Sequence, residues 1–168
     1  MDIQICSKRE ATGWLKSPRR SHTVKGLISI GRNGETYPCG FGSVICPKLR
    51  LEFSDIDDTE IPEPEFNLFP PTRKDVEEII KFGQRLDWNQ EGNLIVHCAM
   101  GVSRSAATAY VLSCIHLDNP EGSWNTLKKT FPRINPNALI IHHAGQILNE
   151  DLTLPGWKPW APNKMITQ

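Results

Sequence analysis

His97-Cys98-Ala99-Met100-Gly101-Val102-Ser103-Arg104-Ser105 lies between two runs of different character. Before it, Asn93-Leu94-Ile95-Val96 is an apolar strand candidate; after it, Ala106-Ala107-Thr108-Ala109-Tyr110-Val111-Leu112 reads as a helix. A cysteine therefore sits where a buried strand ends, five residues before an arginine at the start of a helix. The first N–H groups of a helix lack intrahelical partners, and the helix dipole makes that end positive. A strand-loop-helix turn can aim several N–H groups at one phosphate-sized anion. Gly101 admits backbone angles that other residues resist, and Arg104 offers a planar charged fork matched to two phosphate oxygens. The N–H groups of Ala99, Met100, Gly101, Val102, Ser103 and Arg104 are the expected phosphate ligands. The same positive field favours the thiolate of Cys98, since thiols at helix N-termini or beside cations fall to ~3.5–7.5. A thiolate facing a bound phosphate is a nucleophile aimed at phosphorus, and the Ser105 hydroxyl is placed to stabilise the sulfur as a leaving group. The competing reading is a buried structural cysteine beside a chance arginine.

The string His-Cys-x5-Arg-Ser resembles the signature of the cysteine-dependent protein tyrosine phosphatases, and within them the compact dual-specificity type. The resemblance covers roughly residues 49–149 in layout and is sharp at 97–105; residues 1–48 match no motif of the family. It implies a single α/β domain with a central, mostly parallel sheet flanked by helices and the cysteine loop between strand and helix. It implies a nucleophilic Cys98, with His97 orienting the loop through a hydrogen bond. It also implies a general acid on the loop after the strand that precedes the long helix before the signature. That position is best matched by Asp55, then Asp57, then Asp58. No metal or cofactor is implied, because the cradle itself supplies the charge.

The chain of 168 residues suits one domain with a real core. Hydrophobic residues at 39% and charged residues at 23% describe an ordinary globular protein. Lysine plus arginine and aspartate plus glutamate both number 19, which argues against a broad nucleic-acid surface. Five cysteines without a Cys-x-x-Cys pair suggest neither a disulfide framework nor a zinc site. They fit a reducing, cytoplasmic location, which a catalytic thiolate needs. Met1-Asp2-Ile3-Gln4 carries no signal-peptide pattern, and no apolar run approaches the length of a membrane span. His22, His97, His116, His142 and His143 are scattered, so a metal role is not expected. A monomer without membrane attachment is the expected state.

In chain order, Ile3-Gln4-Ile5-Cys6 alternates as a first strand, and Ser7 with Glu10 forms a capping box for a helical turn up to Leu15. Residues 17–22 read as a polar, basic loop. Residues 24–30 read as a strand closed by the turn Gly31-Arg32-Asn33-Gly34. Val44-Ile45-Cys46 is a short apolar run interrupted by Pro47, and residues 49–53 alternate as a half-buried strand. The acidic run Ser54-Asp55-Ile56-Asp57-Asp58-Thr59-Glu60 leaves that strand and runs into a proline-rich loop. A carboxylic acid is what the chemistry lacks elsewhere, since the leaving oxygen must receive a proton; capping of turns is the competing role for each aspartate. Thr72 and Asp75 start a helix over about 72–88, with Val76, Ile79, Ile80, Gly83 and Leu86 on one face. Residues 94–98 lack polar alternation, as a central strand should. A nearly all-apolar helix follows over about 104–117, with Cys114 and Tyr110 as packing residues. Asn119-Pro120-Glu121 starts another helix, and Asn137 caps a last one carrying Ile140, Ala144, Ile147 and Leu148. The catalytic domain is expected over 1–150, with 151–168, including Trp157 and Trp160, as a tail packed on the surface or flexible.

The expected activity is hydrolysis of phosphomonoesters through phosphocysteine. Ala99, Met100, Val102 and Ser103 include no lysine, whereas relatives acting on acidic inositol phospholipids tend to carry basic residues there, so a phosphorylated protein or peptide is the expected substrate. Two other readings stand beside it. One is a phosphate-binding pseudophosphatase with an intact cradle and no working acid. The other is sulfur or arsenate chemistry on a similar cysteine loop, which expects a different loop length or further redox cysteines.

Overall fold

Among the described residues four parallel strands carry the fold: β1 (Asp2–Ser7), β2 (Val24–Gly31), β3 (Lys48–Glu52) and β4 (Asn93–Cys98). They form one sheet in the order β1-β4-β2-β3, and every neighbouring pair is parallel. The computed structural model describes residues 1–57 and 68–154. Strand β4 lies inside the sheet, between β1 and β2. Because successive side chains of a strand point to opposite faces, Leu94, Val96 and Cys98 enter the larger apolar core while Ile95 enters the smaller one. Both faces of β4 are thus covered, which is why its apolar run shows no polar alternation.

On the larger-core face pack α3 (Arg73–Arg85), α4 (Arg104–Leu117) and α6 (Ala138–Leu148), with α5 (Pro120–Thr130) against α4. Helix α1 (Lys8–Lys16) covers the other face through Ala11 and Leu15. Its start is set by the expected capping box, Ser7 with Glu10, and α3 starts in the same way on Thr72 and Asp75. Asn119 and Asn137 cap α5 and α6 with their side chains. Helix α4 is buried from Arg104 to Cys114, so the segment after the cysteine loop is held on all sides by core.

The structure departs from the sequence expectations in local detail. The basic segment 17–22 contains a helical turn, α2 (Pro18–Ser21), where Pro18 presets the first helical residue. The short apolar run Val44-Ile45-Cys46 is divided between core and solvent: Val44 is buried in the smaller core and Ile45 is fully exposed. Helix α3 ends at Arg85 rather than near 88, because Trp88 turns back to donate its indole N–H to the Gly83 carbonyl (3.0 Å) and stacks on His116. Beyond residue 150, Leu152 and Leu154 are buried in the larger core, and the Tyr110 hydroxyl donates to the Leu152 carbonyl at 3.2 Å. Asp58, the proline-rich loop up to Pro64, and Trp157 and Trp160 of the tail lie outside the described residues. No helix among the described residues is long and apolar enough to cross a membrane.

Candidate active site

Strand β4 delivers Cys98 to the mouth of α4, and the loop between them closes on the sulfur. The Gly101 N–H donates to Cys98 Sγ at 3.3 Å, and the Ser105 hydroxyl lies 3.2 Å from the same sulfur. Burial pushes the Cys98 thiol up. Hydrogen bonds from the Ser105 hydroxyl and N–H and from the Gly101 N–H, with the Arg104 charge, outweigh that and hold it below the ordinary cysteine value. Two other buried cysteines go the other way: Cys6, which has no such donors, is pushed up to about 12, and Cys114 is pushed up to about 11 because burial outweighs the hydrogen bonds from Tyr110 and Ser123. Of these three buried thiols, only the one in the loop is shifted toward the thiolate.

The loop turns at Gly101, whose φ of +75° lies in the left-handed region. A Cβ there would sit 2.5 Å from the Cys6 carbonyl carbon and 2.6 Å from the Ser7 nitrogen, so the turn packs directly on the end of β1. Ser103 is the N-cap of α4 but makes no capping hydrogen bond with its side chain. The first N–H groups of α4 are left available to an anion. The Ser103 hydroxyl is spent elsewhere: it donates to Asp55 Oδ1 at 2.6 Å.

Arg104 is buried at 3% exposure and donates from Nη1 to the Phe53 carbonyl at 2.8 Å. Its Nε has no hydrogen-bond partner and faces Asp55 Oδ2 at 3.9 Å. The guanidinium is thus anchored at one corner on the end of β3. Asp55 has an open side chain, 41% exposed. Its Oδ1 also accepts from Asn137 Nδ2 at 3.2 Å, and the same Asn137 amide donates to the Ile56 carbonyl at 3.1 Å. With two donors on Oδ1, Oδ2 is the oxygen turned toward the guanidinium. The structure separates the aspartates. Asp55 reaches the cysteine loop, while Asp57 accepts from the Ala138 N–H (2.7 Å) at the start of α6. Burial pushes the Asp57 carboxyl up against the pull of that N–H, and the nearby Asp55 charge adds to the rise.

His97 is buried, with Nδ1 3.4 Å from the Cys98 carbonyl and no partner on Nε2. Burial lowers it to about 4, and the Arg50 and Lys8 charges add to the fall. It is neutral at physiological pH. Two partners of the site were not marked in the sequence. Asn137 reads there only as a helix cap, yet it also ties the aspartate loop to the cysteine loop, and its own N–H reaches the Ser103 carbonyl at 3.4 Å. The carbonyl of Phe53 left no signal, because a backbone acceptor has no residue type. Among the described residues no cluster of histidine, cysteine, aspartate and glutamate could hold a metal ion.

This arrangement, a cysteine loop joining a central parallel strand to a buried helix, is the fold of the compact dual-specificity phosphatases. The solved structure of DUSP15 superimposes with a TM-score of 0.59 at 18% identity, covering 87% of this chain and 82% of that one. PTPMT1, solved in complex with PI(5)P, gives 0.58 at 16% identity over 88% and 93%. Human DUSP28 gives 0.54 at 18% identity over 86% and 89%. No family model matches the sequence, and no curated protein matches it.

Proposed function

We propose that the protein is a phosphomonoester hydrolase of the protein tyrosine or dual-specificity phosphatase kind, acting on phosphorylated protein through a phosphocysteine. The observation that carries this reading is the sulfur of Cys98, lowered in pKa by the Gly101 and Ser105 donors at the uncapped mouth of α4. In the first step the thiolate attacks phosphorus, a sulfur–phosphorus bond forms and the bond to the leaving oxygen breaks. Asp55 gives its proton to that oxygen. The N–H groups of residues 99–104 and the Arg104 guanidinium hold the phosphoryl oxygens and meet the charge that develops on them. In the second step Asp55, now a carboxylate, takes a proton from water. The water oxygen attacks phosphorus, and the thiolate departs with the Ser105 hydroxyl donating to it.

Several features support these roles. Asp55 is open to a bound substrate and held over the loop by Ser103 and Asn137. Asp57 is occupied in capping α6. Arg104 has donors left after its bond to Phe53. The outer loop residues Ala99, Met100, Val102 and Ser103 carry no cation that would hold a second phosphate of an inositol ring, which favours a phosphoprotein. The test is hydrolysis of a phosphopeptide panel and an aryl phosphate by the wild type and by Cys98→Ser. The wild type should release phosphate, and the variant should bind phosphopeptide without turnover. A wild type that binds phosphopeptide but turns over neither substrate would make the molecule a phosphate-binding pseudophosphatase.

A further inference from the structure

A cleft of about 790 Å³ opens beside the cysteine loop and shares its Met100-Gly101-Val102 wall. Its opposite walls come from the start of α1 and from the segment between α5 and α6. That volume is typical of ligand sites, and the lining mixes apolar groups with a few charges as such sites do. Each wall contributes one arginine, Arg9 from α1 and Arg133 from the α5–α6 segment. Among the described residues neither forms an ion pair, and both are exposed. The acidic residue in the cleft, Glu10, accepts from the Ser7 N–H at 2.8 Å and the Ser7 hydroxyl at 2.7 Å in the cap of α1, and the Arg133 charge adds to the hydrogen bonds that hold its carboxyl below the ordinary value.

The Arg133 wall is also held firmly. Lys128 Nζ donates to the Ile134 carbonyl at 3.0 Å, and the Asn135 N–H donates to the Val102 carbonyl at 2.9 Å. The cleft is therefore fixed to the loop that would hold the phosphate. Between the two sits Met100, 76% exposed, an apolar side chain at the rim where a polypeptide would cross.

On the reading of the loop given above, we infer that this cleft is a subsite for the polypeptide flanking the phosphorylated residue, and that it selects an acidic side chain there. The carboxylate pairs with the Arg9 and Arg133 guanidiniums, which bind such groups by charge-assisted hydrogen bonds. Phe131 and Pro132 take the apolar part of the flanking residues. The cations belong to α1 and to the α5–α6 segment rather than to the loop itself, which suits a charge carried one or more residues along a peptide.

The experiment is binding of three phosphotyrosine peptides to Cys98→Ser, identical except that the flanking residues are Glu, Gln or Lys. The expected order of affinity is Glu, then Gln, then Lys, with about tenfold between the extremes at low salt, narrowing as salt is added. In Cys98→Ser with Arg9→Glu and Arg133→Glu the order should invert. Both changes are at exposed positions, and the ratio among peptides is independent of any general loss of affinity. Equal affinities, or the same order in both proteins, would overturn the inference, as would vesicles of inositol phospholipid displacing all three peptides equally well. If the peptides rank as expected but the wild type hydrolyses none of them, the subsite stands and the hydrolase reading falls. If no phosphopeptide binds, both fall.

Discussion

Ser105 touches the sulfur of Cys98 from the first turn of α4, and that contact bears on both halves of the proposed cycle. Removing the hydroxyl by Ser105→Ala takes away one stabiliser of the thiolate. Rapid-quench kinetics should show a burst followed by a slowed steady state, because expulsion of the thiolate suffers more than its attack; a uniform slowing of both phases would argue against the role. Asp55→Asn should lower kcat by ~10²–10⁴ on an alkyl phosphate, whose leaving oxygen needs a proton, and far less on an aryl phosphate with an acidic phenol. Asp57→Asn should leave that contrast between substrates intact, since the Asp57 carboxylate is engaged by the Ala138 N–H at the start of α6. Equal losses from the two substitutions would mean that the acid has been misassigned. Because the Cys98 thiol is held below the ordinary value, its alkylation by iodoacetamide should rise with a midpoint below the ~8.5 of a free cysteine. An alkylation midpoint above that value would contradict the electrostatics of the loop.

Elements, rather than single side chains, hold these groups in place. The turn at Gly101 packs its Cα on the end of β1, so Gly101→Ala strains the backbone by ~1–3 kcal/mol and pushes the loop off the strand. Helix α6 begins at Asn137, which accepts from the Ile140 N–H at 3.1 Å while donating to the aspartate loop. Asn137→Ala should cost ~1–2 kcal/mol of stability through the lost cap and reduce kcat through the freed Asp55. A variant losing stability alone would leave Asn137 a cap and nothing more.

At the end of β4, His97 has a folded-state value depressed from 6.5 to about 4 by burial. As pH falls, the unfolded chain takes up the proton first, so stability is intact above about 6.5 and drains away toward 4. At 1.36 kcal/mol per unit, the loss over that window is of order 3 kcal/mol. Urea midpoints across that window should fall more steeply for the wild type than for His97→Asn; parallel curves would count against a buried neutral imidazole.

At the scale of the whole molecule, the larger core reaches past residue 150. Leu152 and Leu154 are buried in it, and Leu152 supplies the acceptor for Tyr110. Ending the chain after Glu150 should therefore lower stability by several kcal/mol, at ~2–5 for each large buried aliphatic side chain removed. A thermal midpoint unchanged by that truncation would show that the two leucines contribute little. The sequence reveals the elements whose signals are local. The caps at Ser7, Thr72, Asn119 and Asn137 lie within three residues of their partners, and Cys98 and Arg104 belong to one loop. What it conceals depends on distant encounters. Asp55 meets Asn137 across 82 positions, and Arg104 meets the Phe53 carbonyl across 51. Choosing among neighbouring aspartates required knowing which of them faces α6 and which faces the loop.

The claim on which the account turns is that a phosphoryl group passes through Cys98. Wild-type protein should be mixed with a phosphotyrosine peptide, quenched in acid during turnover, digested and weighed by mass spectrometry. The peptide containing Cys98 should carry one phosphoryl group, and the same peptide from Cys98→Ser should show no turnover-dependent label. Phosphate release without any label on Cys98, or release at the wild-type rate by Cys98→Ser, would contradict it.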